Sequence, residues 1–125
     1  MRFMYVITSS AEPAAPTPAL LDAMHKMAAR EIAAGRMLAD GGLAPPEMGA
    51  RITCGRGKVA VIDGPFAETK EVIAGFAVFE VAAREEGLEL GREFMQLHAD
   101  HMPGWEGAME MREIAGSMTR PVTPP

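Results

Sequence analysis

Ile73-Ala-Gly-Phe-Ala-Val-Phe-Glu-Val81 gives the strongest indication of how this chain folds. Apolar side chains occupy nearly every position of this stretch, and Glu80 is its one charged residue. A short run of that kind, rich in β-branched and aromatic side chains, predicts a strand in the interior of a sheet, buried on both faces. The neighbouring segments are therefore expected to supply the strands and helices that surround it.

An amphipathic helix is predicted on each side of this strand. Residues 18–34 follow Thr17, a residue suited to an N-cap, and stop at Gly35, while residues 84–102 stop at Pro103-Gly104. The spacing of the apolar side chains puts them on one face of each helix. These predicted stripes contain Leu20, Met24, Met27 and Ile32 in the first helix and Leu88, Phe94, His98 and Met102 in the second.

The rest of the chain supplies the other strands. They are predicted at residues 2–8, 36–43, 51–54, 58–63 and 106–114, and the third and fourth form a hairpin around Gly55-Arg56-Gly57. The order β-α-β-(hairpin)-β-α-β predicts an α+β fold in which an antiparallel sheet carries two helices on one face. The opposite sheet face is then bare, and we expect a second copy of the chain to cover it in a homodimer.

Length and terminal composition define the expected domain. A chain of 125 residues, with 48% hydrophobic and 23% charged residues, is typical of one globular domain. We place that domain at residues 1–116 and expect a loose tail, with three prolines, over residues 117–125.

Composition also excludes several classes of protein. The net charge is −5 at pH 7 and the twelve Lys and Arg residues form no cluster, so nucleic acid is not an expected partner. The apolar run in residues 1–8 is too short for a signal peptide or a membrane span, which favours a cytoplasmic protein. Cys54 is the only cysteine, so no intrachain disulfide is possible, and we expect it to pack in or beside a strand.

No cofactor is predicted. Gly55-Arg56-Gly57-Lys58 lacks the upstream glycine and the following Ser or Thr of a phosphate-binding loop, and no dinucleotide-binding glycine motif opens a helix.

His98 is the first candidate catalytic residue, because it lies near the middle of the apolar face of the second helix. An imidazole titrates near neutral pH and can act as a general base, although a hydrogen-bonded core histidine is the alternative. His101 lies on the same side, but two ligands at this spacing are weak evidence, and no metal is predicted. Glu31 is a second polar residue on an apolar stripe. We expect it to bond Tyr5 or Arg36 or to reach an edge, and a desolvated carboxylate with a raised pKa is the alternative.

The last strand carries two further candidates. Glu110 and Arg112 point to one face, whereas Met109 and Met111 point to the other. If the methionines meet the helices, the two charged residues face the bare side of the sheet. There they bind a small anion or polarise a carbonyl group, or they neutralise each other as an ion pair, which we favour.

Residues 63–71 read as a rigid loop. Asp63 ends a strand and can hold the turn through backbone N–H groups, Gly64 permits unusual torsion angles, and Pro65 fixes φ. Glu68 and Lys70 follow, a grouping suited to a polar substrate or to salt bridges across a dimer, although a purely structural loop remains the alternative. We assign Asp63 as the second catalytic candidate, and substrate binding to Asp40, Glu68, Lys70, Glu110 and Arg112.

Asp63-Gly-Pro-Phe-Ala-Glu-Thr-Lys-Glu71 resembles the signature of the DGPF branch of the YCII-related family. Residues 34–43 resemble the family's strand after its first helix, and Glu110-Met-Arg112 resembles its closing strand. The resemblance implies a ferredoxin-like fold whose sheets pair into a dimeric α/β barrel, with a pocket between helix and sheet or at the dimer seam.

The same resemblance bears on activity. Smaller family members carry a His-Asp dyad near the first helix, but His25 is one residue out of register and Ala33 replaces the carboxylate, so the dyad is not assigned here. The resemblance implies a small cofactor-independent acid–base enzyme acting on a small polar or aromatic-derived metabolite, since relatives of the barrel include isomerases and a muconate-type dehydrochlorinase. The alternative is a non-catalytic ligand-binding or regulatory module, because DGPF domains also occur beside sigma-factor-like regulators.

Overall fold

The computed structural model of the protein describes residues 1–10, 14–64 and 71–118. Its strands are β1 (Arg2–Ser10), β2 (Met37–Gly42), β3 (Ala50–Gly55), β4 (Lys58–Asp63), β5 (Glu71–Glu80) and β6 (Gly107–Glu113). The helices are α1 (Pro18–Ala33) and α2 (Arg84–His101), and a 3₁₀ turn spans Pro46–Met48. Of the predicted tail, residues 117–125, only 117 and 118 fall within the described ranges.

Four strands form one antiparallel sheet in the order β2-β5-β1-β6. The predicted central strand is confirmed, because β5 pairs with β1 on one side and β2 on the other. The element order and sheet order together make the chain an α+β domain of the ferredoxin-like kind.

The start of α1 is held by Thr17. Its side-chain oxygen accepts a hydrogen bond from the Leu20 N–H at 3.1 Å, which satisfies one of the free donors of the first turn. The same hydroxyl donates to the carbonyl oxygen of His101 at 2.7 Å. The beginning of α1 is therefore joined to the end of α2.

The core lies between both helices and one face of the sheet. Its central aromatic pair is Tyr5 and Phe79, whose rings meet edge to face at 5.4 Å. Met27 of α1 and Leu90 of α2 pack on the same cluster, which places both helices on the same face. Met109 and Met111 also pack against this core, as the alternation of the last strand predicted.

Helix α2 approaches the sheet closely at two glycines. A Cβ on Gly87 would lie 3.0 Å from the Tyr5 hydroxyl, and one on Gly91 would lie 3.3 Å from the Tyr5 ring. The Tyr5 hydroxyl donates a buried hydrogen bond to the Gly87 carbonyl at 2.7 Å. The predicted stripe is wrong at Leu88, which is exposed, because the face that meets the sheet passes through Gly87 and Leu90 instead.

Neither helix covers the opposite face of the sheet. Strand alternation places Met4, Val6 and Val78 there, and all three are half-buried. Glu110 lies opposite Val6 in register and Arg112 opposite Met4, so both charged residues share this face.

Strands β3 and β4 form a separate two-stranded ribbon. Arg56 and Gly57 both have positive φ, 52° and 75°, which is the twist that a two-residue hairpin turn requires. Every residue of the two strands is exposed to solvent. Among the described residues, no helix is both long enough and apolar enough to cross a membrane.

Candidate functional site

A cavity of about 530 Å³ lies between the two helices and the sheet. Residues of β1, β2 and β5 form one side, and residues of α1 and α2 form the other. This volume falls within the range of about 300–1,000 Å³ that is usual for small-molecule sites.

Most of the cavity wall is apolar, with Met24, Phe79, Phe94 and Trp105 among the large side chains. The side chains that can form hydrogen bonds are Tyr5, Ser9, His25, Asp40, His98 and, through its indole N–H, Trp105. An apolar site with a few polar groups excludes most water and orients a ligand through those groups.

His98 is a buried titratable side chain of this wall, with 8% of its surface exposed. Its Nδ1 lies 3.0 Å from the Phe94 carbonyl oxygen, one helical turn earlier. Because a carbonyl oxygen only accepts, this hydrogen bond requires the proton on Nδ1. The lone pair of the neutral ring is then on Nε2, which is the nitrogen available to a ligand.

Two aromatic contacts hold the His98 ring. The Phe94 and Trp105 rings lie 5.0 and 4.5 Å from it, centroid to centroid. The indole of Trp105 lies directly over Gly107, where any Cβ would overlap it. Glycine at position 107 is therefore required to keep Trp105 against His98.

The Tyr5 hydroxyl stays a neutral donor in this wall. Burial, and then the nearby charge of Glu86, raise the pKa of Tyr5 above its usual value. Its hydrogen bond to Gly87 occupies the proton, so Tyr5 shapes the cavity and leaves acid–base chemistry to other groups.

Asp40 reaches the same cavity from β2. It lies opposite Ala77 in the sheet register, and its side chain is exposed. The structure thus brings the predicted binding residue Asp40 and the predicted catalytic residue His98 to one cavity. His25 of α1 also lines it, although no dyad was assigned to that residue.

Asp63 is placed elsewhere. It ends β4 opposite Ala50, is exposed, and does not line the cavity. The next residue explains the local sequence: a Cβ on Gly64 would lie 2.7 Å from the carbonyl oxygens of Pro46 and Glu47. Gly64 is not among the residues with positive φ. A glycine is needed at this position because the backbone of residues 46 and 47 packs closely against it, and not for the unusual torsion angle that the sequence suggested.

Two further predicted binding residues, Glu68 and Lys70, lie outside the described residues. Glu110 and Arg112 are exposed on the sheet face that the helices do not cover. No ion pair joins them within the part of the single chain that the structure describes, where solvent reaches both side chains and an exposed pair gains little free energy. The mutual pair was expected where a second copy encloses this face, and it stays a prediction.

Glu31 has no exposed surface, and it lies under two arginines. Its Oε2 accepts from Arg36 at 2.7 Å, as predicted, and from Arg30 at 2.9 Å. Burial alone would raise the pKa of Glu31, but the hydrogen bonds and charges of the two guanidinium groups outweigh it and hold the pKa below its usual value. The alternative of a raised pKa is therefore wrong.

Over residues 1–10, 14–64 and 71–118, no three His, Cys, Asp or Glu side chains are close enough to hold a metal ion together.

Sequence reasoning missed Ser9 and Trp105. Ser9 is 3% exposed near the end of β1 and lines the cavity. A lone serine in a strand gives no signal. Trp105 did give a signal in the sequence. It is the only tryptophan, it follows the end of α2, and a glycine stands two residues later.

A curated protein and a family model both match this chain. An uncharacterized protein of Rhizobium meliloti (strain 1021) is 31% identical over 84 residues. That match covers 67% of this chain and 64% of the relative, so the chain spans less than two thirds of the relative's length. The model of the YCII-related domain matches residues 1–114, which include the whole four-stranded sheet, both helices and the cavity between them, and the chain therefore belongs to the YCII-related family.

Proposed function

We propose that the chain is a cofactor-independent acid–base enzyme whose active site is the cavity beneath the two helices. The observation that carries this proposal is His98, a buried imidazole with Nδ1 bonded to Phe94 and Nε2 available in a largely apolar cavity. A neutral imidazole in such a place is a competent general base.

The chemistry requires only proton transfer. Nε2 takes a proton from one position of the ligand and returns it to another, which is an isomerisation without any redox step. Asp40, which lines the same cavity, binds a donor or cationic group of the ligand. The apolar wall selects a small ring-sized or branched metabolite.

A non-catalytic ligand-binding or regulatory module is the second candidate. It is favoured by the predominantly apolar wall and by the position of Asp63, the other predicted catalytic residue, outside that wall. A binding protein needs only the cavity and no catalytic residue in its wall.

We further assign the chain to the DGPF branch and propose that it works in the cytoplasm as a homodimer, a dimeric α/β barrel. Support comes from the signature at residues 63–71 and from the half-buried apolar side chains Met4, Val6 and Val78 on the uncovered sheet face. Pairing of two such faces places Glu110 and Arg112 near the seam.

The test begins with a thermal-shift screen of small carboxylic and aromatic metabolites, followed by NMR detection of turnover or of exchange of ligand protons with deuterated water. The key variant is His98→Asn, whose side-chain amide can still donate to the Phe94 carbonyl but lacks Nε2. We expect it to bind the ligand and to lose about 100-fold or more in rate.

His101→Asn is the matched control, because His101 belongs to the same helix and does not line the cavity. It should retain full activity. Ligand-induced stabilisation with neither turnover nor proton exchange in the wild type would favour the binding module, and unchanged turnover in His98→Asn would exclude His98 as the base.

A further inference from the structure

The sheet side of the cavity has no side chains at one place, where Gly42 of β2 lies opposite Gly75 of β5. Asp40 and Ala77 form a neighbouring pair in this register, and all four residues line the cavity. Because side chains alternate along a strand, the two glycines belong to the same sheet face as Asp40. The sheet therefore presents only main chain to the cavity beside the Asp40 carboxylate.

Neither the backbone nor the packing requires a glycine at position 42. Its φ is not positive, and a Cβ built on it would meet no atom within 4 Å. Gly75 differs, because a Cβ there would lie 2.9 Å from the Gly41 carbonyl oxygen. The space above Gly42 is thus open cavity, and a planar ring fits against the main chain there.

The side chains of the cavity wall carry negative charge. Among the described residues, Asp40 is the one acidic side chain that lines it, and no Lys or Arg does. Arg30 and Arg36 do not line the cavity, and each is bonded to two carboxylates. A carboxylate or phosphate group of a ligand would find no cation there to compensate its lost hydration, and Asp40 would repel it.

The helix ends beside the cavity do not reverse this charge. Leu20 in the first turn of α1 lines the cavity, but its N–H is bonded to Thr17, and Pro18 has no N–H. The carboxyl end of α2 lies beside this N-terminus, since the Thr17 hydroxyl bonds the His101 carbonyl. The partial charges of the two helix ends therefore offset each other, and Asp40 sets the sign.

We propose that the ligand of this cavity is an aromatic amine or a nitrogen heterocycle that carries no carboxylate or phosphate group. Its ring lies on the main chain at Gly42 and Gly75, and its N–H or ammonium group bonds the exposed Asp40. Phe94 and Trp105 of the wall offer aromatic surfaces that attract both a ring and a cation. This inference rests on the proposed function, because it names the substrate class of the same site.

Three probes that share one ring and differ in charge test the proposal: benzylamine, benzyl alcohol and benzoate. Their dissociation constants are measured at neutral pH by titrations followed in NMR spectra of the protein. We expect benzylamine to bind about tenfold or more tightly than benzoate, with benzyl alcohol between them. Cyclohexylmethylamine, a cation with a puckered ring, should bind about threefold or more weakly than benzylamine.

Gly42→Val fills the space in which the ring is placed. We expect it to raise the dissociation constant of benzylamine about tenfold or more. Gly55→Val is the matched control, because Gly55 also has neither a positive φ nor an atom within 4 Å of a Cβ, and it lies in the ribbon outside the cavity. It should bind benzylamine as the wild type does.

Asp40→Asn removes the charge of the wall and keeps the size of the side chain. We expect benzylamine to bind about fivefold or more weakly and benzyl alcohol to change by less than about twofold. Asp22→Asn removes an equal charge from the exposed surface of α1, outside the cavity, and should leave both dissociation constants unchanged.

The proposal is overturned if benzylamine does not bind, if benzoate binds as tightly as benzylamine, or if either cavity variant binds benzylamine as the wild type does. Should circular dichroism show that Gly42→Val is unfolded, Asp40→Asn and the probe series decide. The proposed enzyme fails separately: a ligand of this class that binds with the expected charge preference but is never turned over would support the ligand class and reject the catalysis.

Discussion

Glu31 in α1 and His98 in α2 are both buried polar side chains that interrupt the apolar stripe of their helix. They differ in the partners that the fold gives them. Glu31 is clamped by Arg30 and Arg36 at one end of the helix pair. His98 has one nitrogen bonded to the backbone and the other available in a cavity.

The difference follows from charge. A buried carboxylate is costly unless cations compensate it, so Glu31 requires the two arginines, and these in turn bond Glu93 and Glu86 at the surface. An imidazole can be buried in its neutral form with a single hydrogen bond. Glu31, whose charge is compensated, is therefore a structural residue. His98, which has an available nitrogen, is the candidate for chemistry.

The largest expected effect is that of Glu31→Gln. The amide keeps the size of the side chain but leaves two guanidinium groups without their shared counter-charge. Because Arg30 is half exposed, we expect a loss of about 2–3 kcal/mol in the free energy of unfolding, less than for a fully buried pair. Urea denaturation measures this change.

Glu93→Gln is the matched control for that variant, since Glu93 bonds the same Arg30 at the surface. It should cost less than about 1 kcal/mol. Equal losses in the two variants would contradict the structural role assigned to Glu31.

The pH dependence of stability gives the next effect. The pKa of Glu31 is lowered in the folded protein, so the unfolded chain binds the proton more readily. The stabilisation is complete above the unfolded pKa of about 4.3 and is lost as the pH falls through the lower folded pKa. The difference in unfolding free energy between wild type and Glu31→Gln should be constant near neutral pH and shrink below about pH 4. If this difference in unfolding free energy instead grew as the pH falls, the lowered pKa of Glu31 would be contradicted.

The smallest expected effect is that of His98→Asn on stability. The variant retains a donor for the Phe94 carbonyl but loses the ring contacts with Phe94 and Trp105. We expect a loss of about 1 kcal/mol or less, measured by the same denaturation. A loss as large as that of Glu31→Gln would show that His98 is a structural residue after all.

The fold was largely predictable because its signals are local. Periodicity and stop residues located both helices and the strands of the sheet within a few residues, and Gly55-Arg56-Gly57 located the ribbon turn. The errors concern which side of a helix is buried. Leu88 and Ile32 were expected in the core and are exposed, because close approach at Gly87 and the burial of Glu31 turn other residues toward the sheet.

The site was less predictable because it is assembled from distant elements. The position of His98 on the apolar face of α2 identified it as a candidate, and Arg36 was one of the two bonding partners expected for Glu31. The second arginine, Arg30, was not foreseen, because periodicity does not report which side chains bond each other. That Asp40 shares the cavity and Asp63 does not is set by tertiary packing.

The hydrogen bond from Tyr5 to the Gly87 carbonyl fixes the axial position of α2 on the sheet. His98 follows Gly87 by about three helical turns, so it points to the same side of the helix. A side chain at position 87 that displaced the helix from Tyr5 would carry the imidazole along with it. Tyr5 thus sets the position of α2 along the sheet, and with it how far the imidazole of His98 extends into the cavity.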